Sequence, residues 1–420
     1  MSDAATATRT RCCIAGCGPA GAMLGLLLAR AGVDVLVLEK HADFLRDFRG
    51  DTIHTSTLQL LDELGLGTAF GRLPLRPTSR IQAVTDDGTY NLADFGRLRG
   101  RYREIALLPQ WDFLEFLTGA AAENPTFTLR RSSEVVDLMR DGRRVTGLRY
   151  RDDDGTHDVT TDLVVAADGR SSLVREAAGL SVREFGVPID VLWLRLPREA
   201  TDVPSESFGR LASGRFLALI DRGSYWQIAF VIRKGGGAEV RSRGLDAFRS
   251  ELTRLLPHFA DRVQQLSSWD DVHVLTVKVD RLRRWWLPGL LCIGDAAHAM
   301  SPVGGVGINL AVQDAVAAAN RVAVPLRENR LRSWHLAAVQ ARRWPPTVVT
   351  QLVQRVLQRT FIAEVVAGRR GGTTPRPLRV VDAVPALQAA AAYAVGVGLL
   401  PEHPSGELLG RSGRRRAASR

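Results

Sequence analysis

A chain of 420 residues is long enough for two or three domains and a sizeable buried core. With 45% hydrophobic and 24% charged residues it has the composition of an ordinary globular protein, which excludes low-complexity and collagen-like chains. The net charge of +11 comes almost wholly from Arg residues spread along the chain and densest over Arg411 to Arg420, a pattern of solvated surface rather than a nucleic-acid footprint.

The first ten residues, MSDAATATRT, lack the apolar core of a signal peptide. Cys12 to Ala15 reads as a short strand ending in Gly16-Cys17-Gly18-Pro19-Ala20-Gly21, with an Ala- and Leu-rich helix from Ala22 to Arg30 behind it, stopped at Gly32. A second strand, Val33 to Leu38, ends in Glu39 and Lys40. Strand, glycine turn, helix and strand with an acid at its tip make a dinucleotide-binding unit. Gly16 permits the turn, Gly18 lets the backbone approach a pyrophosphate, and Gly21 lets helix and strand pack closely. The phosphates then meet free N–H groups and the positive end of the helix dipole. Glu39 is placed to accept hydrogen bonds from a ribose diol and would repel the 2′-phosphate of NADP, so the ligand expected here is FAD or NAD.

Further along, Arg49-Gly50-Asp51 precedes a helix from Thr55 to Leu64, expected to be capped by Thr55 or Ser56 and stopped by Gly65. Arg49 lies where a guanidinium would reach a pyrophosphate. Ile81 to Asp94 reads as a hairpin about Asp87-Gly88, and Asp112 to Ala122 as an amphipathic helix behind Leu107-Leu108-Pro109-Gln110-Trp111. Thr126 to Arg151 and Thr156 to Ala167 predict a three-stranded meander, running into Asp168-Gly169-Arg170-Ser171-Ser172 and a helix from Leu173 to Ala178. Strands follow at Val191 to Leu196, Phe216 to Asp221, Tyr225 to Ile232 and Val272 to Val279, interrupted by a helix from Leu245 to Leu256, and suggest a mostly antiparallel sheet. Leu290 to Ile293 is a buried strand, followed by Gly294-Asp295-Ala296-Ala297-His298, the glycine-rich run Ser301 to Asn309 and a helix to Val324. Arg332 to Leu400 is helical in pattern; its stretch Ala386 to Leu400 is too short and interrupted to span a bilayer and reads as a buried helix. From Pro401 the Gly-, Arg- and Ser-rich composition predicts disorder. Cys12, Cys13, Cys17 and Cys292 fit no metal spacing and read as buried small residues in a reducing compartment.

Three motifs in this order resemble those of the single-component (group A) FAD-dependent monooxygenases of the para-hydroxybenzoate hydroxylase fold: G-x-G-x-x-G at Gly16 to Gly21, DGRSSLVR at Asp168 to Arg175, and GDAAHAMSPVGGVGIN at Gly294 to Asn309. The match covers most of residues 8–325. It implies an α/β fold: a Rossmann-like FAD-binding domain over residues 1–75, 103–178 and 281–330, an inserted, mostly antiparallel β-sheet substrate domain over 76–102 and 179–280, and C-terminal helices over 331–400 before a basic tail, 401–420. Carried over residue by residue, the resemblance implies an FAD site of Gly16, Gly18, Pro19, Ala20, Gly21, Glu39, Lys40, Arg49, Gln110, Asp168, Asp295, Pro302, Gly304, Gly305, Gly307, Ile308 and Asn309. His298 is expected on the cofactor side as a structural residue, and no catalytic acid or base and no metal is assigned.

The resemblance further implies that NADH or NADPH reduces the flavin transiently and that molecular oxygen then reacts through a flavin C4a-hydroperoxide to hydroxylate or epoxidise an aromatic or polycyclic small molecule. A second glycine fingerprint for the nicotinamide is absent, as this family's transient binding requires. Expected substrate contacts are Trp193, Arg195, Phe216 and Trp226. The alternative is an FAD-dependent dehydrogenase or reductase without oxygen insertion; a halogenase would need Trp-x-Trp-x-Ile-Pro, which Trp285-Trp286-Leu287-Pro288 does not match. The protein is expected to be cytoplasmic, monomeric or homodimeric, and without nucleic-acid or transmembrane partners.

Overall fold

The structure is a computed structural model and describes residues 8–45, 52–200, 202, 208–212, 214–362 and 376–409. Its core is a parallel sheet in which Thr8–Ala15 lies between Val35–Leu38 and the second half of Gly155–Ala166, with Phe127–Arg130 and Leu290–Cys292 outside them. These strands read as near-continuous apolar runs because both faces are covered. Helices Pro19–Arg30, Gln110–Ala122 and Gly307–Arg327 pack on one face around Leu24, Leu27, Phe113 and Val316. On the other, Trp285, Tyr150 and Leu148 form a second buried layer.

The sequence expectation of a meander from Thr126 holds only from Glu134. Phe127–Arg130 joins the parallel sheet, and the antiparallel hairpin Glu134–Asp141 and Arg144–Asp152 continues onto the first half of Gly155–Ala166. That long strand serves two sheets' worth of pairing, since its ends face different neighbours.

Among the described residues a second, seven-stranded sheet runs in the order His273–Leu275, Ile189–Pro197, Tyr225–Arg233, Arg215–Asp221, Phe208–Ala212, Arg80–Val84 and Thr89–Asp94. All its pairings are antiparallel except that of Phe208–Ala212 with Arg80–Val84. Side-chain alternation divides it cleanly. Leu192, Leu194, Leu217, Leu219, Trp226 and Phe230 face helix Leu245–Leu255 and its Phe248. Val191, Trp193, Phe216, Ala218 and Ala229 face the other way, against Val303 and Ile362.

The predicted strand Val272 to Val279 is two strands. His273–Leu275 closes the seven-stranded sheet, whereas Val279–Leu282 pairs with Val182–Phe185 in a separate ribbon. The break occurs where the Asp190 carboxylate accepts from the Val277 N–H at 2.9 Å, diverting a donor from the ladder. Two expectations for the C-terminal region also change. Pro385–Ala392 lies on strand Thr89–Asp94 and the following turn, Tyr393–Val397, against helix Thr55–Glu63, burying Gln388, Ala392 and Gly396 but leaving Leu387 and Tyr393 exposed, so this is a surface helix. Residues 401–409 are packed rather than disordered: Leu408 is fully buried, and Glu402 accepts from Arg342 at 2.6 Å. Composition misses this because one buried Leu and one buried carboxylate suffice to hold a short segment. No single helix among the described residues is long and apolar enough to cross a membrane.

Candidate FAD and substrate site

The three motifs meet at the C-terminal edge of the parallel sheet, and glycines are what let them meet. Gly16, at φ +93°, passes so close to the second motif that a Cβ would stand 2.6 Å from the Ala167 carbonyl oxygen. A Cβ on Gly21 would lie 2.0 Å from the Gly16 oxygen, so this glycine packs the helix onto its strand. Gly294 brings the third motif against the same helix, its Cβ position only 3.1 Å from that of Ala20. Gly18 differs, since among the described residues nothing lies within 4 Å of its Cβ position. It caps a helix whose first turn has no side-chain cap, with Pro19 at the first position. Open space beside unsatisfied N–H groups suits an anion.

The acids around this loop differ in their ties. Glu39 is buried and accepts from the N–H groups of Cys17 (3.0 Å) and His41 (3.1 Å), fixing the carboxylate at the strand tip. Asp168 accepts from the Val174 N–H at 3.1 Å, while its other oxygen is buried without a partner among the described residues. Burial raises the Asp168 pKa above the ordinary carboxylate range despite help from Ser172 and Val174. Asp295 is half-buried and paired with Arg170 at 2.9 Å. Lys40 is exposed, Gln110 begins helix Gln110–Ala122 half-buried, and Arg49 lies outside the described residues.

The glycine-rich loop of the third motif is held from behind by residues that sequence reading did not select. His54 is fully buried, and its Nε2–H donates to the Gly305 carbonyl at 3.0 Å. Burial lowers the His54 pKa to about 4, against the pull of the Gly305 and Val395 carbonyls, so the ring is neutral near pH 7. Gln354, on helix Ser333–Leu357, accepts from the Ser301 N–H (3.1 Å) and donates to the carbonyls of Ser301 (3.0 Å) and Val303 (2.8 Å). Pro302 and Gly304 are thereby presented away from that helix, with Gly304 and Gly305 both at positive φ. Helix Gly307–Arg327 then starts without a side-chain cap. Ile308 is buried, and the Asn309 side chain is already engaged, accepting from Ser56 and Thr57 at 2.8 Å each. Neither expected cap, Thr55 or Ser56, caps helix Thr55–Glu63: the Thr55 hydroxyl donates to the Glu104 carbonyl at 2.9 Å, and Ser56 with Thr57 ties the helix to Gly307–Arg327. Gln354 carried a legible signal, recurring with Gln351 and Gln358 at helical spacing; His54 carried none.

His298 is buried and its Nε2 lies 2.5 Å from Asp314, which also pairs with Arg343 at 2.9 Å and accepts from the Gly294 N–H at 3.0 Å. Burial would raise the Asp314 carboxyl, but His298 and Arg343 outweigh it and hold it below the usual range. This network anchors the Gly294 turn; it offers no base to a ligand.

Of the expected substrate residues, the sheet brings Trp193 and Phe216 to the face opposite Val303. The Trp193 indole N–H is buried there without a partner among the described residues. Arg195 shares this parity but is exposed, its guanidinium 4.9 Å from the Tyr225 ring centroid. Trp226 is on the wrong face: it packs against Phe259 and donates to Asp202 at 2.8 Å beneath the covering helices. Its strand pairs so that odd-numbered neighbours, such as Ala229 and Val231, face the loop instead.

Comparison with known proteins agrees with this geometry. The chain matches the model of the FAD binding domain family over residues 9–356. It is 33% identical over 385 residues to 6-methylpretetramide 4-monooxygenase of Streptomyces rimosus, covering 91% of each chain. Among solved structures, P. aeruginosa PqsL in complex with 2-aminobenzoylacetate superposes with a TM-score of 0.73 at 22% identity, over 86% of this chain and 99% of that one. OxyS anhydrotetracycline hydroxylase from Streptomyces rimosus gives a TM-score of 0.73 at 23% identity, over 93% and 76%. At these identities the two structures speak to fold alone.

Proposed function

The chain belongs to the FAD binding domain family and is an FAD-dependent monooxygenase using NAD(P)H, and from that premise we propose that it adds an oxygen atom to a flat, polycyclic aromatic molecule. The observation that carries the substrate class is the apolar floor of Val191, Trp193, Phe216 and Ala218 opposite Val303, with one indole N–H set in it that has no partner among the described residues. Such a surface favours aromatic area and one oxygen acceptor. The relative at 33% identity, whose name specifies a pretetramide, supports the same class. A cytoplasmic setting, where NAD(P)H and reduced thiols are maintained, suits a chain whose four cysteines are all buried.

In this reading FAD lies across the edge of the parallel sheet, its domain comprising residues 1–75, 103–178 and 281–330, and the seven-stranded sheet closes over it as the substrate domain. When bound, FAD supplies electron transfer from the nicotinamide and activation of dioxygen. The chain's own residues position and exclude. The N–H groups beyond Gly18 take the pyrophosphate, Glu39 the ribose and Asp295 the ribityl chain after releasing Arg170. The uncapped start of helix Gly307–Arg327 offers N–H groups to negative charge developing on the reduced ring. His54 and Gln354 fix the loop between ring and substrate, and the Trp193 face keeps water out.

The test supplies the purified flavoprotein with NAD(P)H, isotopically heavy dioxygen and a panel of tetracyclic and monocyclic phenols. A product carrying one heavy oxygen from a tetracyclic compound, at higher kcat/KM than from any monocyclic one, is the expected result. Turnover of substrate without oxygen incorporation would instead require the dehydrogenase alternative.

A further inference from the structure

Helix Ser333–Leu357 and the π turn that continues it, Gln358–Ile362, bring three glutamines to the interior at helical spacing: Gln351, Gln354 and Gln358. The first two are satisfied at both ends of the carboxamide. Gln351 accepts from Arg281 at 2.9 Å and donates to the carbonyls of Asp280 and Ala299, and Gln354 is matched by the backbone of Ser301 and Val303. Gln358 differs. Its Nε2 donates to the Ser301 hydroxyl, but its Oε1 has no partner among the described residues, although the side chain is fully buried. A buried acceptor left unpaired is costly, and a methionine of similar length would fill the same place without that cost.

The surroundings of this acceptor point to what meets it. The three glutamines follow the irregular chain from Asp280 to Val303, and at Gln358 the backbone groups they satisfy give out beside the apolar floor. Ile362, at the far end of the π turn, packs with Val303 and Trp193 in that floor. Trp193 holds there a second buried polar atom without a partner among the described residues, its indole N–H. One wall therefore offers an acceptor and the floor a donor, in surroundings that are otherwise hydrocarbon. A π turn at this place is in keeping with such a role, since these breaks in helical regularity recur at functional sites.

We propose that Gln358 is a specificity-determining residue: its Oε1 accepts from a phenolic or enolic hydroxyl of the substrate, while the Trp193 N–H donates to an oxygen of the same ring system. The inference rests on the polycyclic aromatic reading above and adds to it a required donor. The form recognised is the neutral hydroxyl, because a phenolate has no proton to give and would face the oxygen of the carboxamide. A flat analogue without the hydroxyl displaces water from the pocket and leaves Oε1 unpaired. Sites built on such a bond reject analogues that lack it far more strongly than an apolar pocket rejects a missing methylene.

The experiment is calorimetric titration of the oxidised holoenzyme, at mildly acidic pH, with 2-hydroxyanthraquinone, its methyl ether and anthraquinone. The three share the flat ring and the carbonyl acceptors; only the first has a donor. The unaltered enzyme is expected to bind the hydroxyl compound at least about tenfold more tightly than either of the others. Gln358→Met keeps length and apolar packing and should reduce that ratio to about twofold or less, whereas Trp193→Phe should weaken all three alike and preserve it. A general loosening of the site would lower every affinity and leave the ratio, so it does not imitate the expected result. Equal affinities in the unaltered enzyme, a measurement that needs no variant to fold, overturn the role of Gln358, as does a ratio unchanged in Gln358→Met. Failure of all three compounds to bind would instead overturn the polycyclic reading beneath it.

Discussion

Gly18 and Gly21 lie in one loop, yet a side chain at each would meet a different obstacle. At Gly21 the obstacle is the chain itself, the Gly16 carbonyl 2.0 Å from the Cβ position. At Gly18 it is only what binds there, because the site is open and the backbone extended at φ −72° and ψ −175°. Gly18→Val is therefore expected to give folded protein, by circular dichroism, that elutes from gel filtration with little FAD; full flavin content would remove Gly18 from the pyrophosphate site. Gly21→Ala is expected to lose about 3 kcal/mol of stability or more in urea. His54 gives a pH signature. Its pKa is about 4 folded, against about 6.5 for a free imidazole, so the unfolded chain takes up its proton first as pH falls. The contribution is complete above pH 6.5 and is lost progressively as pH falls toward 4, to a total of about 3 kcal/mol. His54→Gln should remove that part of the slope when urea midpoints are measured from pH 7 to 5, and equal slopes would mean the ring is not buried neutral. The glycines were legible because turn sterics are local. His54 was not, since its partner Gly305 is 251 residues away.

Helix Ser333–Leu357 lies within Arg332 to Leu400, which the sequence marks only as helical in pattern, and its purpose appears only when its neighbours are known. Gln351 and Gln354 occupy its buried side and satisfy backbone groups of Asp280, Ala299, Ser301 and Val303, a stretch of irregular chain that no strand or helix could satisfy. Each bond is modest, about 1 kcal/mol, yet a loop without them has room to move by the fraction of an ångström that oxygen transfer does not tolerate. Gln354→Leu keeps the volume and removes three bonds. It is expected to oxidise NAD(P)H with substrate bound while releasing several-fold more hydrogen peroxide per product, and unchanged coupling would show that the loop is held by other means. Short strands were the least legible elements. Phe208–Ala212, five residues long, was missed, and Val272 to Val279 was read as one strand because the Asp190 carboxylate that breaks it acts from 87 residues away.

At the scale of the molecule, two sheets and the last segment of the chain converge on the third motif. The fold class and the meeting of three motifs were legible because glycine spacing and apolar runs encode them directly. The role of residues 401–409 was not, as their composition resembles a free tail. Glu402 pairs with Arg342 at 2.6 Å and Arg343 at 3.5 Å; Arg343 pairs with Asp314; Asp314 holds the Gly294 N–H and His298. Every member of this chain from Arg343 inward is buried, so Arg343 depends on two carboxylates to offset its desolvation. Truncation after Leu400 removes one of them and exposes the pocket of Leu408. The expected loss is about 3 to 5 kcal/mol in chemical denaturation, with a weaker affinity for FAD because the Gly294 turn loses its anchor. Glu402→Gln separates the parts: it keeps Leu408 packed and removes only the charge, so it should weaken FAD retention while costing less stability than the truncation. Flavin affinity unchanged in both variants would mean that the C-terminal segment covers the domain without reaching the site.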